Sequence, residues 1–218
     1  DSPTAHTRPM PLQNRVTPTG RLAAVPARGA WTGNRGIIHN ERREVIAPWR
    51  GKAWITCVLN FEGRRRKVFS PNTWSELFFL DEATAFSAGH RPCAYCRRPR
   101  YREFRDAWGK ANPGLVDTPR LLATRIDACL HAERVGPGRE KRMWRERFGM
   151  LPAGSFVLIG DQPCLLWNDR LLPWSHEGYG PPFARPASGG EVDVLTPASI
   201  VAMFRGGFRP QVHESANI

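Results

Sequence analysis

The sequence FFLDEATAFSAGHRPCAYC, residues 78–96, is the stretch around which the rest of the chain is predicted to fold. Apolar residues recur here at helical spacing, and polar residues before them could cap a helix. The spaced apolar residues are Leu77, Leu80, Ala83 and Phe86, and the candidate N-caps are Asn72, Thr73 and Ser75. Gly89 is placed to end this helix, and Pro92 prevents its continuation. The stretch therefore predicts a helix, a glycine stop and a turn that carries two cysteines.

Cys93 and Cys96 form a Cys-x-x-Cys pair on this predicted turn. The spacing allows two thiolates to bind one zinc ion at ~2.3 Å. The chain has five cysteines, an odd number, and two of them lie in this metal-type pair. That usage favours a metal site in a reducing compartment over a disulfide framework. We therefore expect zinc as the cofactor and the cytoplasm as the location.

The same stretch resembles the Ada-type metal-binding domain, the zinc module of the methylphosphotriester DNA repair protein. The matching residues are Phe79, Glu82-Ala83, Ala88-Gly89 and Arg91-Pro92-Cys93-x-x-Cys96, with His90 in place of an aromatic residue. The resemblance is confined to residues 78–96 of 218, and it implies zinc binding and a role in DNA repair. The family also has two upstream cysteines, spaced Cys-x-x-x-Cys, one of which accepts the methyl group. This chain has only Cys57 upstream, so methyl transfer is not implied.

The remaining zinc ligands are expected to come from the region before the cysteine pair. Cys57 shares a strand face with Ile55 and Leu59, and a single buried cysteine is more often a small apolar residue than a ligand. The Ada-type module, however, takes a thiolate from an upstream sheet, and His39 could stand on a neighbouring strand. Cys57 and His39 are therefore the predicted third and fourth ligands.

Composition points to a basic protein with enough apolar residues for a core. Hydrophobic residues make up 41% of the chain, and its net charge is +12 with arginine in excess over lysine. Arginine favours bidentate contacts to phosphate and guanine, so nucleic acid is the leading partner. The resemblance to the Ada-type domain, together with the basic charge, makes DNA the expected nucleic acid, with RNA possible. A basic protein in which arginine is simply common is the alternative. No run of ~18 apolar residues predicts a membrane span.

Two stretches carry most of the predicted nucleic-acid contacts. Residues 54–61 alternate like a strand and residues 64–70 could return as a second strand, which predicts an antiparallel hairpin. After the cysteine pair, Tyr101, Phe104 and Trp108 predict an amphipathic helix whose first turn is cationic. Cations are unfavourable at a helix N-terminus, so an anionic partner is expected. The predicted contact residues are Arg64, Arg65, Arg66, Lys67, Arg97, Arg98, Arg100, Arg102 and Arg134.

A helix predicted over residues 118–134 carries the candidate catalytic residues Asp127, His131 and Glu133. Such a set suits hydrolysis of a phosphodiester or glycosidic bond, as in a nuclease or glycosylase. A protonated His131 at the helix C-terminus would act as general acid, and Arg134 would hold a phosphate. Two alternatives stay open. The stripe could be structural in a non-catalytic binder, or His131 and Glu133 could join the cysteine pair in a deaminase-like zinc site, although their order is reversed.

The predicted fold class is α+β, with three units along the chain. Residues 1–30 are expected to form an extended basic arm, residues 31–150 an Ada-like zinc module with a helical extension, and residues 151–218 a small β-rich subdomain. Residues 139–150 are predicted as another basic helix. Short apolar runs at 155–159, 164–167 and 171–174, separated by turn residues, predict a C-terminal β-meander. A strand at 191–195 and a helix at 197–204 are expected to follow it.

Overall fold

The computed structural model describes residues 10–63, 67–116, 121–186 and 189–217. Two sheets and several helices form within these residues, so the predicted α+β class is confirmed. In the same part of the chain, no helix is long and apolar enough to cross a membrane. The predicted contact residues Arg64, Arg65 and Arg66 lie outside the described residues.

Six short strands from the first half of the chain form the first sheet. They are β1 (Arg15–Val16), β2 (Leu22–Ala23), β3 (Trp31–Asn34), β4 (Ile55–Cys57), β5 (Leu77–Phe79) and β6 (Arg91–Pro92). Their order across the sheet is β2-β1-β5-β3-β4-β6. The pairs β1–β5 and β4–β6 are parallel, and the other neighbours are antiparallel. Part of the region predicted as an arm therefore lies in this sheet as β1 and β2.

The second sheet is built mainly from the C-terminal third. Its strands are β7 (Trp144–Arg147), β8 (Phe156–Ile159), β9 (Gln162–Trp167), β10 (Arg170–Ser175), β11 (Gly178–Tyr179), β12 (Phe183–Ala184) and β13 (Glu191–Val194). The order is β11-β10-β9-β8-β13-β7, and β12 also pairs with β10. The predicted meander is confirmed, because β8, β9 and β10 are consecutive antiparallel neighbours.

The helices are α1 (Glu82–Ser87), α2 (Arg98–Ala111), α3 (Ala123–Arg134) and α4 (Ala198–Arg205). All residues of α1 are buried, and the helix contributes to three apolar clusters. Ala83 packs with the second sheet, Phe86 with the other helices, and Ala85 with the first sheet. The quoted stretch is thus the centre of the molecule, and the cores of the predicted units 31–150 and 151–218 meet at it.

Helix α1 begins later than predicted, because Leu77–Phe79 is strand β5 and pairs with β1 and β3. Its N-cap is Asp81, whose carboxylate accepts hydrogen bonds from the backbone N–H of Thr84 (2.8 Å) and from its hydroxyl. Gly89 follows the helix with a φ of +91°, as a glycine stop requires. A side chain there would also collide with Arg134, since a Cβ would lie 2.4 Å from its Cδ.

The predicted hairpin of residues 54–61 and 64–70 is wrong, because residues 67–70 form turns rather than a strand. Strand β4 pairs with β3 on one edge and with β6 on the other, which leaves no edge for a return strand. The inward face is also the opposite one. Trp54 and Thr56 are buried, whereas Ile55 and Cys57 are half-buried.

The predicted helix over residues 139–150 is also wrong. Trp144–Arg147 forms strand β7, which pairs with β13 and continues into a single 3₁₀ turn over Phe148–Met150. The side chains of β7 alternate between half-buried and exposed, with the period of two of a β-strand, and β7 is the last strand in the sheet order. Pairing with a strand distant in sequence overrides the local helical pattern.

Two consecutive buried carboxylates hold α1 against its neighbours. Asp81 accepts hydrogen bonds from the Tyr179 hydroxyl (2.7 Å) and the His213 backbone N–H (3.0 Å). Glu82 pairs with Arg97 and with Arg100, at 2.6 Å in each case. These bonds attach the start of α2 and the C-terminal segment to the central helix.

We expect Glu82→Gln to lower the free energy of unfolding by about 3 kcal/mol, because it leaves the buried Arg97 without a counter-charge and the half-buried Arg100 with only the exposed Glu103. The matched control is Glu103→Gln, which removes the exposed partner of Arg100 and should cost about 0.5 kcal/mol or less. Urea denaturation of both variants measures the difference. Equal losses would show that the buried pair is no more important than the exposed one.

Candidate metal centre and basic surface

Three cysteine side chains meet at the end of strand β4. The Sγ atoms of Cys57, Cys93 and Cys96 all lie within 4.8 Å of one another, and they form the group in the described residues that could hold a metal ion. All three residues are half-buried, so the sulfurs are close to the surface. Three converging thiols can bind one soft or borderline metal ion, with a fourth position left for a ligand such as water.

The parallel pairing of β4 with β6 brings these cysteines together. Thr56 is in register with Pro92, and the backbone N–H of Cys93 donates to the carbonyl of Thr56 at 2.8 Å. Cys57 and Cys93 each follow one of these paired residues, so they lie side by side. The turn after Cys93 then returns Cys96, and the Tyr95 backbone N–H donates to the Cys93 sulfur at 3.4 Å. Such an N–H stabilises a thiolate in the position that a metal requires.

The three thiols hold their protons unequally. Hydrogen bonds with Cys57 and then with Cys96 lower the pKa of Cys93, against the opposing effect of burial. Hydrogen bonds with Cys93 and Cys96, followed by burial, raise the pKa of Cys57. The group therefore favours one thiolate held by neighbouring thiols. A bound metal would displace the remaining protons, because the thiolate is the ligand form.

His39, the predicted fourth ligand, is not part of this group. Its Nδ1 is 2.5 Å from the Ser75 hydroxyl, its Nε2 is 3.1 Å from the carbonyl of Ser70, and its ring stacks on Phe69. Both ring nitrogens therefore have partners within the loop that precedes β5.

Comparisons of the chain with protein-family models, curated proteins and solved structures give no match. The chemistry of its own side chains is therefore the basis for proposing a function.

The predicted basic surface divides into internal and exposed arginines. Arg97 is buried, pairs with Glu82, donates to the Thr56 hydroxyl at 2.7 Å and stacks on Trp31. Arg100 also pairs with Glu82, so the anionic partner expected for the first turn of α2 is a residue of this chain. Arg134 is buried and donates to the carbonyls of Gly89 and Lys52, each at 2.7 Å. Of the predicted contact residues that the structure describes, three are exposed: Lys67, Arg98 and Arg102.

The candidate catalytic residues of α3 contact three different parts of the fold. Asp127 forms a buried bidentate ion pair with Arg91, at 2.7 and 2.8 Å. Glu133 accepts from the backbone N–H (3.1 Å) and the hydroxyl (2.6 Å) of Ser199 at the start of α4. His131 packs edge-on against Trp49. The three side chains do not converge on one reacting group, and neither His131 nor Glu133 joins the thiol group.

The protonation state expected for His131 is also corrected. Burial, and then the charges of Arg134 and Lys52, lower its pKa, so the neutral imidazole is favoured. Burial and these neighbouring cations oppose the field of the helix C-terminus, which favours the protonated form.

A second group of side chains was not predicted as one site from the sequence, although Arg134 alone was predicted to hold a phosphate. Arg35, Trp49, Arg134 and Lys141 line one cavity, although they come from distant segments. No spacing or motif connects them. The signals that the sequence offers are isolated cations and an isolated tryptophan, which are common on protein surfaces.

We expect the full chain to bind one Co²⁺ per molecule with a thiolate-to-metal absorption band. Cys57→Ala should weaken this binding by about tenfold or more, since even residues that support metal ligands have effects of that size. Binding should also weaken as the pH falls, because protons compete for the thiolates. Cys129→Ala is the control, because Cys129 lies outside the thiol group. Equal metal binding by both variants would remove Cys57 from the site.

Proposed function

We propose that this protein is a zinc-stabilised DNA-binding protein of the repair or defence kind. The observation that carries the proposal is the convergence of Cys57, Cys93 and Cys96 beside an exposed basic helix face. Thiolate ligands in tetrahedral surroundings are the donors that zinc prefers in structural sites. Zinc is favoured over magnesium or calcium, because those ions prefer oxygen ligands.

A structural role for the metal follows from where its ligands lie. Cys57 ends β4, Cys93 follows β6, and Cys96 lies one residue before Arg97, the N-cap of α2. One ion bound to all three would join two strands and a helix start that are otherwise connected by backbone hydrogen bonds. Because such a site does not exist in the unfolded chain, the free energy of metal binding becomes free energy of folding.

The surface next to the thiols has the chemistry of a nucleic-acid contact. Tyr95 is 56% exposed on the cysteine turn, and its ring contacts Phe61 with 5.1 Å between centroids. The exposed cations Arg98 and Arg102 lie on the helix that follows. Aromatic rings beside cations suit bases and phosphates together. The resemblance of residues 78–96 to the Ada-type domain also supports DNA as the partner.

A binding role is favoured over hydrolysis at α3. Asp127 is bound to Arg91, and Glu133 accepts a hydrogen bond from Ser199. A general base must instead be able to reach a proton of the substrate. A metal ion held by the three cysteine thiolates alone would keep a fourth position for water, which gives a second candidate, a zinc hydrolase in which the ion activates water. Turnover of modified DNA by the zinc-loaded chain, lost in Cys57→Ser, would favour that second candidate.

The zinc assignment predicts about one zinc per purified chain. Cys93→Ser and Cys96→Ser should each lose the metal and lower the Tm, because zinc binding stabilises the folded state. Cys129→Ser should keep the metal and serves as the control. Metal analysis and calorimetry before and after chelation measure both properties. A chelated protein with an unchanged Tm would contradict a structural zinc.

The DNA assignment predicts binding that weakens steeply as salt rises, since bound cations release counterions. Replacing Arg98 and Arg102 by Gln should flatten the slope of log K against log salt by up to about 2. Replacing Arg64, Arg65 and Arg66 by Gln should flatten it by up to about 3. The control is Arg170→Gln, an exposed cation on the second sheet.

Parallel titrations with duplex DNA and duplex RNA of the same sequence identify the partner. Tighter binding to RNA would replace DNA in the proposal. Slopes that none of these substitutions changes would place the nucleic-acid surface elsewhere on the chain.

A further inference from the structure

A cavity of about 960 Å³ lies between the first sheet, the turn after α3 and the edge of β8. Its volume falls in the range of small-molecule sites, ~300–1,000 Å³. Apolar residues form much of its wall, including Leu22, Val45, Pro48 and Met143. The thiol group does not contribute to its lining, so this is a separate feature of the molecule.

The interior of the cavity is cationic. Arg35 and Arg134 are each 2% exposed, and they stack on Trp54 with 4.1 and 3.9 Å from guanidinium carbon to ring centroid. Lys141 is half-buried beside them and donates one hydrogen bond to the carbonyl of Ser87. Burial, and then the charges of Arg134 and Arg35, lower the pKa of Lys141 to about 7, with Glu133 opposing. The three cations are therefore close enough to repel one another.

Several buried N–H groups on residues that line this cavity have no hydrogen-bond partner among the described residues. They are Arg35 Nη2, Arg134 Nε and Trp49 Nε1, all of them buried atoms. Buried donors in folded proteins normally have partners, so three unpartnered donors on residues that line one cavity point to a ligand. Water could satisfy the N–H groups, but it could not neutralise the charges.

The charges that line the cavity are balanced at its rim and unbalanced inside. Arg21, Arg139, Glu140 and Asp161 are all exposed, and their charges sum to zero. The lining carboxylates in the described part of the chain, Glu140 and Asp161, are both exposed, whereas the inner cations are Arg35, Arg134 and Lys141. Asp127 acts on Arg134 from outside the lining, but it is already paired with Arg91. Glu133, which acts on Lys141 from outside the lining, already accepts hydrogen bonds from the backbone N–H and the hydroxyl of Ser199.

We propose that this cavity binds a phosphate monoester on a body the size of a nucleoside, with the phosphate among Arg35, Arg134 and Lys141. A phosphate monoester carries about −1.5 to −2 at neutral pH and so offsets more of the inner charge than one carboxylate does. The donors come from separate residues rather than from one guanidinium fork. That arrangement suits the three terminal oxygens of a tetrahedral phosphate better than a planar carboxylate. The apolar wall and Trp49 accommodate the body.

The proposal does not depend on DNA binding, because a free mononucleotide is a sufficient probe. Isothermal titration of the zinc-loaded full chain should show one nucleoside 5′-monophosphate bound per molecule. The matching nucleoside should bind about tenfold or more weakly, because it lacks the charge-assisted hydrogen bonds. Inorganic phosphate should compete for the site. A short DNA strand with and without a 5′-phosphate then distinguishes a free nucleotide from a strand end.

Two mild substitutions test the geometry, because Arg35 variants could fail to fold. Trp49→Phe removes a buried donor that has no partner and keeps a smaller aromatic ring, so the loss of stability in the free protein should be small. Lys141→Met removes the charge and keeps the length. Each should weaken mononucleotide binding by about tenfold, whereas Arg170→Gln should leave it unchanged. Absence of saturable binding by any probe, or equal affinity in all three variants, would overturn the proposal.

Discussion

The burial of two consecutive carboxylates, Asp81 and Glu82, is the constraint on which the rest of this structure depends. Ionised carboxylates inside a protein are stable only when hydrogen bonds and opposite charges replace water. Asp81 meets this demand through Thr84, Tyr179 and the backbone of His213, although burial still raises its pKa. Glu82 meets it through two arginines of the next helix and the backbone N–H of Gln211. The partners come from both halves of the chain, so the halves must pack around α1.

The sequence predicted features correctly where they depend on residues that are close together in the chain. The positive φ of Gly89, the meander separated by turn residues and the metal-type spacing of Cys93 and Cys96 are of this kind. The partner of β4 was missed, because pairing with β6 is decided by strands that lie far apart in sequence. The inward face of β4 was assigned to the wrong side for a related reason. Apolar side chains occur on both faces of the strand, so the alternation in the sequence does not show which face is buried. The packing of Trp54 against the inner arginines decides it.

The net charge of +12 is a poor guide to how many cations are available to a partner. Arg91 is bound to Asp127, Arg97 to Glu82, and Arg134 to two backbone carbonyls. Each of these guanidinium groups also stacks on an aromatic ring, where it acts as a flat, weakly hydrated surface. The arginine content therefore serves the core as well as the surface. The two roles could not be separated from the sequence, because a run of arginines does not show which of them pair with a buried carboxylate.

Strand β4 lies between the group of three thiols and the cationic cavity. Thr56 holds the buried guanidinium of Arg97, and Trp54 lies against both inner arginines of the cavity. Cys57 projects to the opposite face and joins the thiol group. Because successive side chains of a strand alternate, a slip of one residue would move Cys57 inward and Trp54 outward together. A metal ion on Cys57 would oppose such a slip, and in doing so it would keep Trp54 between the cations. The two sites are thus specified by one register, even though they share no side chain.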